Sequence, residues 1–413
     1  MRRIAIPSRR WAIVIALHIL VAFCGTISAS KGVFFPYLLE AFDLSHAAGA
    51  TLLSANIAVG GVVSLLGGWL LVKRARAETF VAIVVLAIGS GYVLAGLAQG
   101  YASLLAAYML MAGGGIMLVV SPFVIANWFS THRGLAIGIA LSGTTTSGVV
   151  INPLIGLVVE QWGWRTGYIG LGASIAAIGI PLALGVIRSS PEAVEAATTQ
   201  TPAQLPGFSF REAIGTRDYW LILIGYMIFW ASTNAYFLHF IPAVRQSGFS
   251  LTDATLIMSA LFLLAAVTKI ASGYLADRTS VKTVLWGSIV AGGAALAALT
   301  VYTGGGSAGW LALFVPLYGL TYSAPLVLFP MIVSRIFGKR QFTIIDATIM
   351  VTGSVAGSLG GVYAGYVHDV TGSFSQAFAS LGLAMALVGA AFALFLARGA
   401  RAPLHPPLVP AGT

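Results

Sequence analysis

Carboxylates and cysteines are what this chain most lacks. Its 413 residues include twelve Asp and Glu and one cysteine, Cys24, and charged residues of both signs make up only 8%. One cysteine excludes a disulfide framework. The six histidines show no metal-ligand spacing, so neither a metal centre nor a cofactor is expected. So little charge on 58% hydrophobic residues, at a mean hydropathy of +0.93, excludes a soluble globular domain. No nucleophile–base pair or metal constellation stands at membrane depth, which argues against a membrane enzyme. The composition is that of an integral membrane protein.

What is there is a series of apolar segments, each long enough to cross a hydrocarbon core of about 30 Å as a helix. Twelve are read, at about 11–38, 49–72, 79–99, 103–127, 135–159, 166–187, 219–244, 252–275, 282–302, 309–334, 343–367 and 375–397. The basic start (Arg2, Arg3, Arg9, Arg10) resembles a secretory leader, but the apolar run continues past Ser28-Ala29-Ser30, so it is read as the first membrane helix. Of the 22 Lys and Arg, 18 fall at the two ends and in the even-numbered connections; the odd-numbered ones hold only Arg165 and Arg245. The positive-inside rule then places both termini in the cytoplasm, and the expected location is the inner (plasma) membrane. The net charge of +10 marks topology, and no nucleic-acid partner is expected.

The halves repeat each other. Trp11 and Trp220, Gly148 and Gly357, Gly156 and Gly365, and Glu160 and Asp369 are each 209 residues apart; Pro122 and Pro330, and Phe129 and Phe337, are 208 apart. The reading is an all-α membrane protein of twelve transmembrane helices in two pseudo-symmetric six-helix bundles. The bundles are 1–187 and 218–398, joined by a Ser-, Pro-, Thr- and Glu-rich cytoplasmic linker, 188–217, with a tail at 399–413. Equal-topology halves are the parallel repeat of alternating-access carriers, with the substrate site near the midplane.

Two cations lie inside spans. A charge there costs about 2.5–3.5 kcal/mol on insertion scales and normally serves a wet cavity. Lys31 and Lys269 are therefore read as holding an anion, against the alternative that each snorkels to an interface. Tyr318 and Tyr322, one turn apart beside Pro316 and Pro325, either line a pocket or pack the interior. Asn152, Asn234 and Tyr236 are polar groups at membrane depth that need partners and are candidate substrate contacts. Asp346 is a gate partner for Arg335, Lys339 or Arg340, or else a proton carrier. The stripe Gly353, Gly357, Gly361 and Gly365 reads as a close-packing surface, and His18 reads as a cavity or packing residue in preference to a proton relay.

The run Gly273-Tyr274-Leu275-Ala276-Asp277-Arg278-Thr279-Ser280-Val281-Lys282 resembles the loop signature G-x-L-a-D-R-x-x-x-[KR] of the major facilitator superfamily. Its first-half counterpart, 68–76, has Val72 where the aspartate belongs. Asn127-Trp128-Phe129-Ser130-Thr131-His132-Arg133-Gly134-Leu135-Ala136, continuing to Gly143, is similar to a signature of the monocarboxylate porter and oxalate/formate antiporter group. Ser30-Lys31-Gly32-Val33-Phe34-Phe35 resembles that group's first-helix lysine segment, and Lys269 stands where it usually has a substrate-binding arginine. Ala265 stands where the proton-coupled members carry an aspartate.

The resemblance implies the major facilitator fold and secondary transport of a small organic anion, most naturally a monocarboxylate by proton symport, working as a monomer in the lipid bilayer. The alternatives are carboxylate antiport of the oxalate–formate type and, on weaker grounds, drug export. It also implies cytoplasmic latches at Asp277, Arg278, Lys73, Arg76 and Arg133. Replacing Lys269 by Gln is expected to abolish carboxylate uptake into reconstituted vesicles while the protein still folds; undiminished uptake removes Lys269 from the site.

Overall fold

The computed structural model describes residues 7–73, 77–129, 133–187, 207–338 and 340–396. Among them, eleven helical stretches are long and apolar enough to cross a membrane. Ala136–Gly185 is 50 residues long, about two crossings, and turns at Gly163 (φ 82°, ψ 162°), a backbone conformation that suits glycine. It carries the fifth and sixth spans, and the total is the twelve that the apolar runs imply. The 188–206 part of the linker, residues 397–413 and Arg76 lie outside the described residues.

Two compact units result. One comprises Met1–Thr198, Asn234–Leu263 and Ser358–Phe374; the other comprises Thr199–Thr233, Leu264–Gly357 and Ser375–Thr413. The first unit therefore joins the first six spans to parts of the seventh, eighth and eleventh. This partition follows packing, whereas the boundaries at 187 and 218 follow sequence symmetry.

Within the first unit the first span is broken. Pro7–Ala29 ends at Ser30, whose backbone N–H and hydroxyl both donate to the Thr26 carbonyl, at 2.8 and 2.7 Å, and Lys31–Phe42 begins anew. Val33 N–H turns to the Ser30 carbonyl at 2.9 Å, which leaves the Ala29 carbonyl for another donor. Beyond the break, a methyl group on Gly32 would lie 2.8 Å from the Phe237 carbonyl oxygen, so only glycine lets the first span lie against the backbone of the seventh (Arg217–Gln246). The third span (Ala77–Leu97) meets the sixth in the same way at Gly89, where a methyl would lie 3.0 Å from the Gly172 carbonyl. The fourth span changes pitch through a tight 3-10 turn, Ala112–Ile116, rich in glycine. The fifth has a π-helical turn, Ser147–Ile151, immediately before Asn152.

In the second unit the ninth (Val281–Thr303) and twelfth (Ser375–Phe395) spans cross at glycines; a methyl on Gly293 would lie 2.8 Å from the Gly382 carbonyl. The end of the linker is folded. Ser209 and Glu212 form a capping box on the short helix Phe210–Ile214, and Phe208 N–H donates to the Phe337 carbonyl at 2.8 Å. Of the glycine stripe, Gly353 faces Tyr226 and Trp230 in this unit, while Gly361 faces Leu238 and Gly365 the His46 backbone in the other. Gly32→Ala is expected to destabilise the protein by about 1–3 kcal/mol through overpacking, read as a lowered midpoint of thermal unfolding in detergent; an unchanged midpoint contradicts the close approach.

Candidate functional site

Lys31 sits where the first span restarts and is buried, with 6% of its surface exposed. Its ammonium donates to Asn234 Oδ1 of the seventh span at 2.6 Å and meets no carboxylate within 4 Å among the described residues. An ammonium has three donors, and here one protein acceptor engages it, a neutral one. Lys31 does not snorkel; the break at Ser30 points it inward. Asn152, from the fifth span, donates through Nδ2 to the released Ala29 carbonyl at 2.9 Å, and so braces the break two residues before the lysine. Asn152 Oδ1 is buried with no hydrogen-bond partner among the described residues.

Beside Lys31 is a small cavity of about 10 Å³, room for roughly one water. Tyr92, Tyr108 and Tyr168 line it with Ser30 and Phe34. The hydroxyls of Tyr108 and Tyr168 lie 2.6 Å apart, Tyr92 bonds Thr26 at 3.1 Å, and Phe34 stacks on Tyr168 with centroids at 3.8 Å. Sequence reasoning missed this tyrosine group. The signal available was three tyrosines at membrane depth, each needing a hydroxyl partner. Tyr236 is also in the first unit, buried, with its ring tilted against Phe237 and Phe240. His18, which had no evident partner in the sequence, faces the fifth span: its Nδ1 lies 2.8 Å from the Ile139 carbonyl and its Nε2 3.0 Å from Thr146 Oγ1.

Lys269, Tyr318, Tyr322, Asp346, Asp277 and Arg278 belong to the second unit, Lys73 and Arg133 to the first. Lys269 is partly buried on the eighth span (Leu251–Arg278), next to Thr268, whose hydroxyl donates to the Leu264 carbonyl at 3.0 Å. Tyr318 and Tyr322 lie parallel, centroids 6.1 Å apart with planes at 10°, and the Tyr318 hydroxyl reaches Thr233 Oγ1 at 3.5 Å. Asp346, in the first turns of the eleventh span (Phe342–Thr371), forms no ion pair within 4 Å among the described residues. At the motif loop, the Arg278 guanidinium lies 4.4 Å from the Tyr274 ring centre, and Lys282 donates to the Leu396 carbonyl at 2.7 Å. With Arg217 donating to the Phe395 carbonyl, two cations cap the C-terminal end of the twelfth span, where the helix dipole favours positive charge. Asp277 lies in the last turn of the eighth span; Lys73 ends the second span (His46–Lys73), and Arg133 opens the first helix of the fifth.

The repeat pairs Gly156/Gly365 and Glu160/Asp369 acquire a physical meaning in the first unit. Asp369 accepts the N–H groups of His46 and Ala47, at 3.0 and 2.9 Å, at the start of the second span. Glu160 accepts the N–H and hydroxyl of Thr252, at the start of the eighth. One turn before each acid is a glycine: a methyl on Gly365 would lie 2.8 Å from the His46 backbone, and one on Gly156 2.8 Å from Thr255 Oγ1. Each Gly-x-x-x-acid element thus lets a helix end approach and then places a carboxylate on the positive end of a helix dipole. These are two equivalent latches, each joining a first-half span to a second-half span.

A family model described as the Major Facilitator Superfamily matches residues 17–361. The chain belongs to that superfamily and is a multi-pass membrane transporter, not an enzyme. It is similar to monocarboxylate transporter 11 of Mus musculus, 29% identical over 388 residues that span 89% of this chain and 83% of the relative. It is also similar to monocarboxylate transporter 13 of Rattus norvegicus, 25% identical over 90% of this chain and 85% of that one. Among solved structures, a bacterial homologue of the human lysosomal transporter Spinster, in an inward-facing and occupied conformation, superposes with a TM-score of 0.75 at 15% identity, covering 94% of this chain and 97% of that one; the likeness is one of fold.

Removing both latch charges, Asp369→Asn with Glu160→Gln, forfeits about 0.3–1 kcal/mol each. A reporter cysteine replacing the buried Ser358 is then expected to react several-fold faster with a membrane-impermeant maleimide; an unchanged rate contradicts the latches.

Proposed function

We propose that this transporter carries a small organic anion, a monocarboxylate by preference, by alternating access, and that Lys31 is the group that meets the carboxylate. The carrying observation is a buried ammonium whose acceptor is a neutral amide. A buried charge normally has an opposite charge beside it, because desolvation otherwise costs several kcal/mol. Asn234 offers one dipole, enough to hold the ammonium but not to neutralise it. A substrate carboxylate supplies the missing charge.

The mechanism follows from the same contact. The cavity beside Lys31 holds about one water and is too small for a carboxylate. Substrate entry therefore separates Lys31 from Asn234, and with them the first span from the seventh. A carboxylate that takes over the ammonium weakens the contact between those spans, and that differential interaction ties occupancy to the conformational switch. The Tyr108–Tyr168 pair shares one hydroxyl proton and leaves the other to donate to the second oxygen, Tyr92 spends its own on Thr26, and Asn152 fixes the helix break that aims the lysine. In the other unit, Lys269, Tyr318 and Tyr322 are further candidate substrate contacts and Asp277, Arg278 and Asp346 candidate gate residues; Lys73, Arg76 and Arg133 of the first unit are candidate gate residues as well. Both termini lie in the cytoplasm, and the carrier acts as a monomer in the inner membrane.

Moving a monoanion with one proton is electroneutral, which favours symport. Exchange of one carboxylate for another is the second reading, supported by the buried Ala265 four residues before Lys269, where a carboxylate for proton binding is lacking. Counterflow in proteoliposomes with and without a pH gradient separates the two. Lys31→Met keeps the volume and deletes the charge. It is expected to leave the unfolding midpoint unchanged or raised, since an uncompensated buried charge is removed, and to lower carboxylate uptake by about 30-fold or more, from the loss of a charge-assisted contact of about 2–5 kcal/mol. Uptake at the wild-type rate overturns the proposal.

A further inference from the structure

We propose that the latch between the second and eleventh spans is also a binding site for a divalent ion of the zinc class, and that the ion staples the latch closed. The ligands are His46, His368 and Asp369. The donor atoms of all three lie within 4.8 Å of one another, whereas donors around a tetrahedral zinc stand about 3.3 Å apart, given bonds of about 2.0 Å. The two imidazole rings stand close, with centroids at 4.0 Å and planes at 47°, so rotation of the side chains brings their nitrogens nearer a shared ion. His46 Nδ1 is 3.1 Å from Asp369 Oδ1, a contact in which the metal replaces the shared proton.

Three further observations favour an ion. His368 Nδ1 has no hydrogen-bond partner among the described residues, and its Nε2 lies 3.3 Å from the Gln246 amide nitrogen; turning that amide over presents its oxygen to Nε2–H, the tautomer that frees Nδ1 for a metal. His239 stands behind, its ring 6.2 Å from that of His46, with Nε2 on the Gly361 carbonyl at 3.0 Å, so its Nδ1 lone pair remains available as a supporting acceptor. An entry path exists: His46 and Gln246 line a cavity of about 560 Å³, which also carries Glu40 and Arg245, one charge of each sign. Two imidazoles and one carboxylate suit zinc and its borderline neighbours, and they disfavour calcium and magnesium, which seek oxygen ligands.

The consequence is specific to one side of the repeat. His46 opens the second span and His368 and Asp369 close the eleventh, so a shared ion ties a first-half span to a second-half span. The equivalent latch, Glu160 on Thr252, has no histidine in it. A metal therefore acts on one latch and not on its counterpart, and its effect on transport is inhibition.

The test uses the full-length protein and Zn²⁺ alone. Calorimetric titration of purified wild type is expected to show one Zn²⁺ per chain, with Mg²⁺ and Ca²⁺ inert. His46→Asn, which keeps a residue favoured at a helix start, and His368→Gln are each expected to weaken binding by about tenfold or more. In proteoliposomes, Zn²⁺ is expected to slow uptake from the face bearing the odd-numbered connections, reversibly with a chelator, and to lose this effect in both variants. Absence of Zn²⁺ binding to the wild type, or binding equal in the wild type and in His46→Asn and His368→Gln, overturns the proposal. Because the titration involves no substrate, its failure leaves the Lys31 reading standing, and failure of the Lys31 reading leaves the titration unaffected.

Discussion

A buried ammonium held by a neutral amide is the interaction on which the rest depends. Lys31 can be buried only because the first span breaks at Ser30, and the break persists because Asn152 takes the carbonyl it releases. The seventh span can reach the lysine only because Gly32 lets its backbone come close. Each feature is local chemistry, and together they leave one positive charge that no described carboxylate neutralises. An apolar medium makes such a charge expensive unless an anion visits it, and that is the physical root of the transport reading.

The two latches show how the same medium is used for closure. In a first unit with few charges, carboxylates are placed where helix dipoles reward them, at the first N–H groups of the second and eighth spans. Glycines one turn earlier set the approach distance. The arrangement is repeated because the sequence is repeated, and in the proposed mechanism it divides labour: latches hold the helix ends while the lysine site is left to the anion.

Much of this was legible in the chain. Twelve spans followed from apolar run length alone, and the superfamily followed from the loop signature at 273–282. Lys31, Asn234 and Asn152 were singled out as polar groups at membrane depth, and the structure brings the first two into contact and sets the third against the break. The repeat pairs Gly156/Gly365 and Glu160/Asp369 were visible as spacing, but their role was not, because a cap joins residues more than 90 positions apart. The tyrosine group around Lys31 was missed for a related reason: Tyr92, Tyr108 and Tyr168 lie on three different spans, and apolar periodicity does not say which faces converge. The histidines escaped likewise, since His46 and His368 are brought together only by the fold. The folded end of the linker did carry a signal, the Ser-x-x-Glu of Ser209 and Glu212.

The central claim is that the charge on Lys31 is what a carboxylate binds, and ligand-induced stabilisation tests it directly. A ligand that binds only the folded protein raises the unfolding midpoint in proportion to its affinity. Purified wild-type protein titrated with short aliphatic monocarboxylates should show a midpoint that climbs with concentration, while Lys31→Met should show none of that climb. Equal stabilisation of both proteins by the same carboxylates would contradict the account.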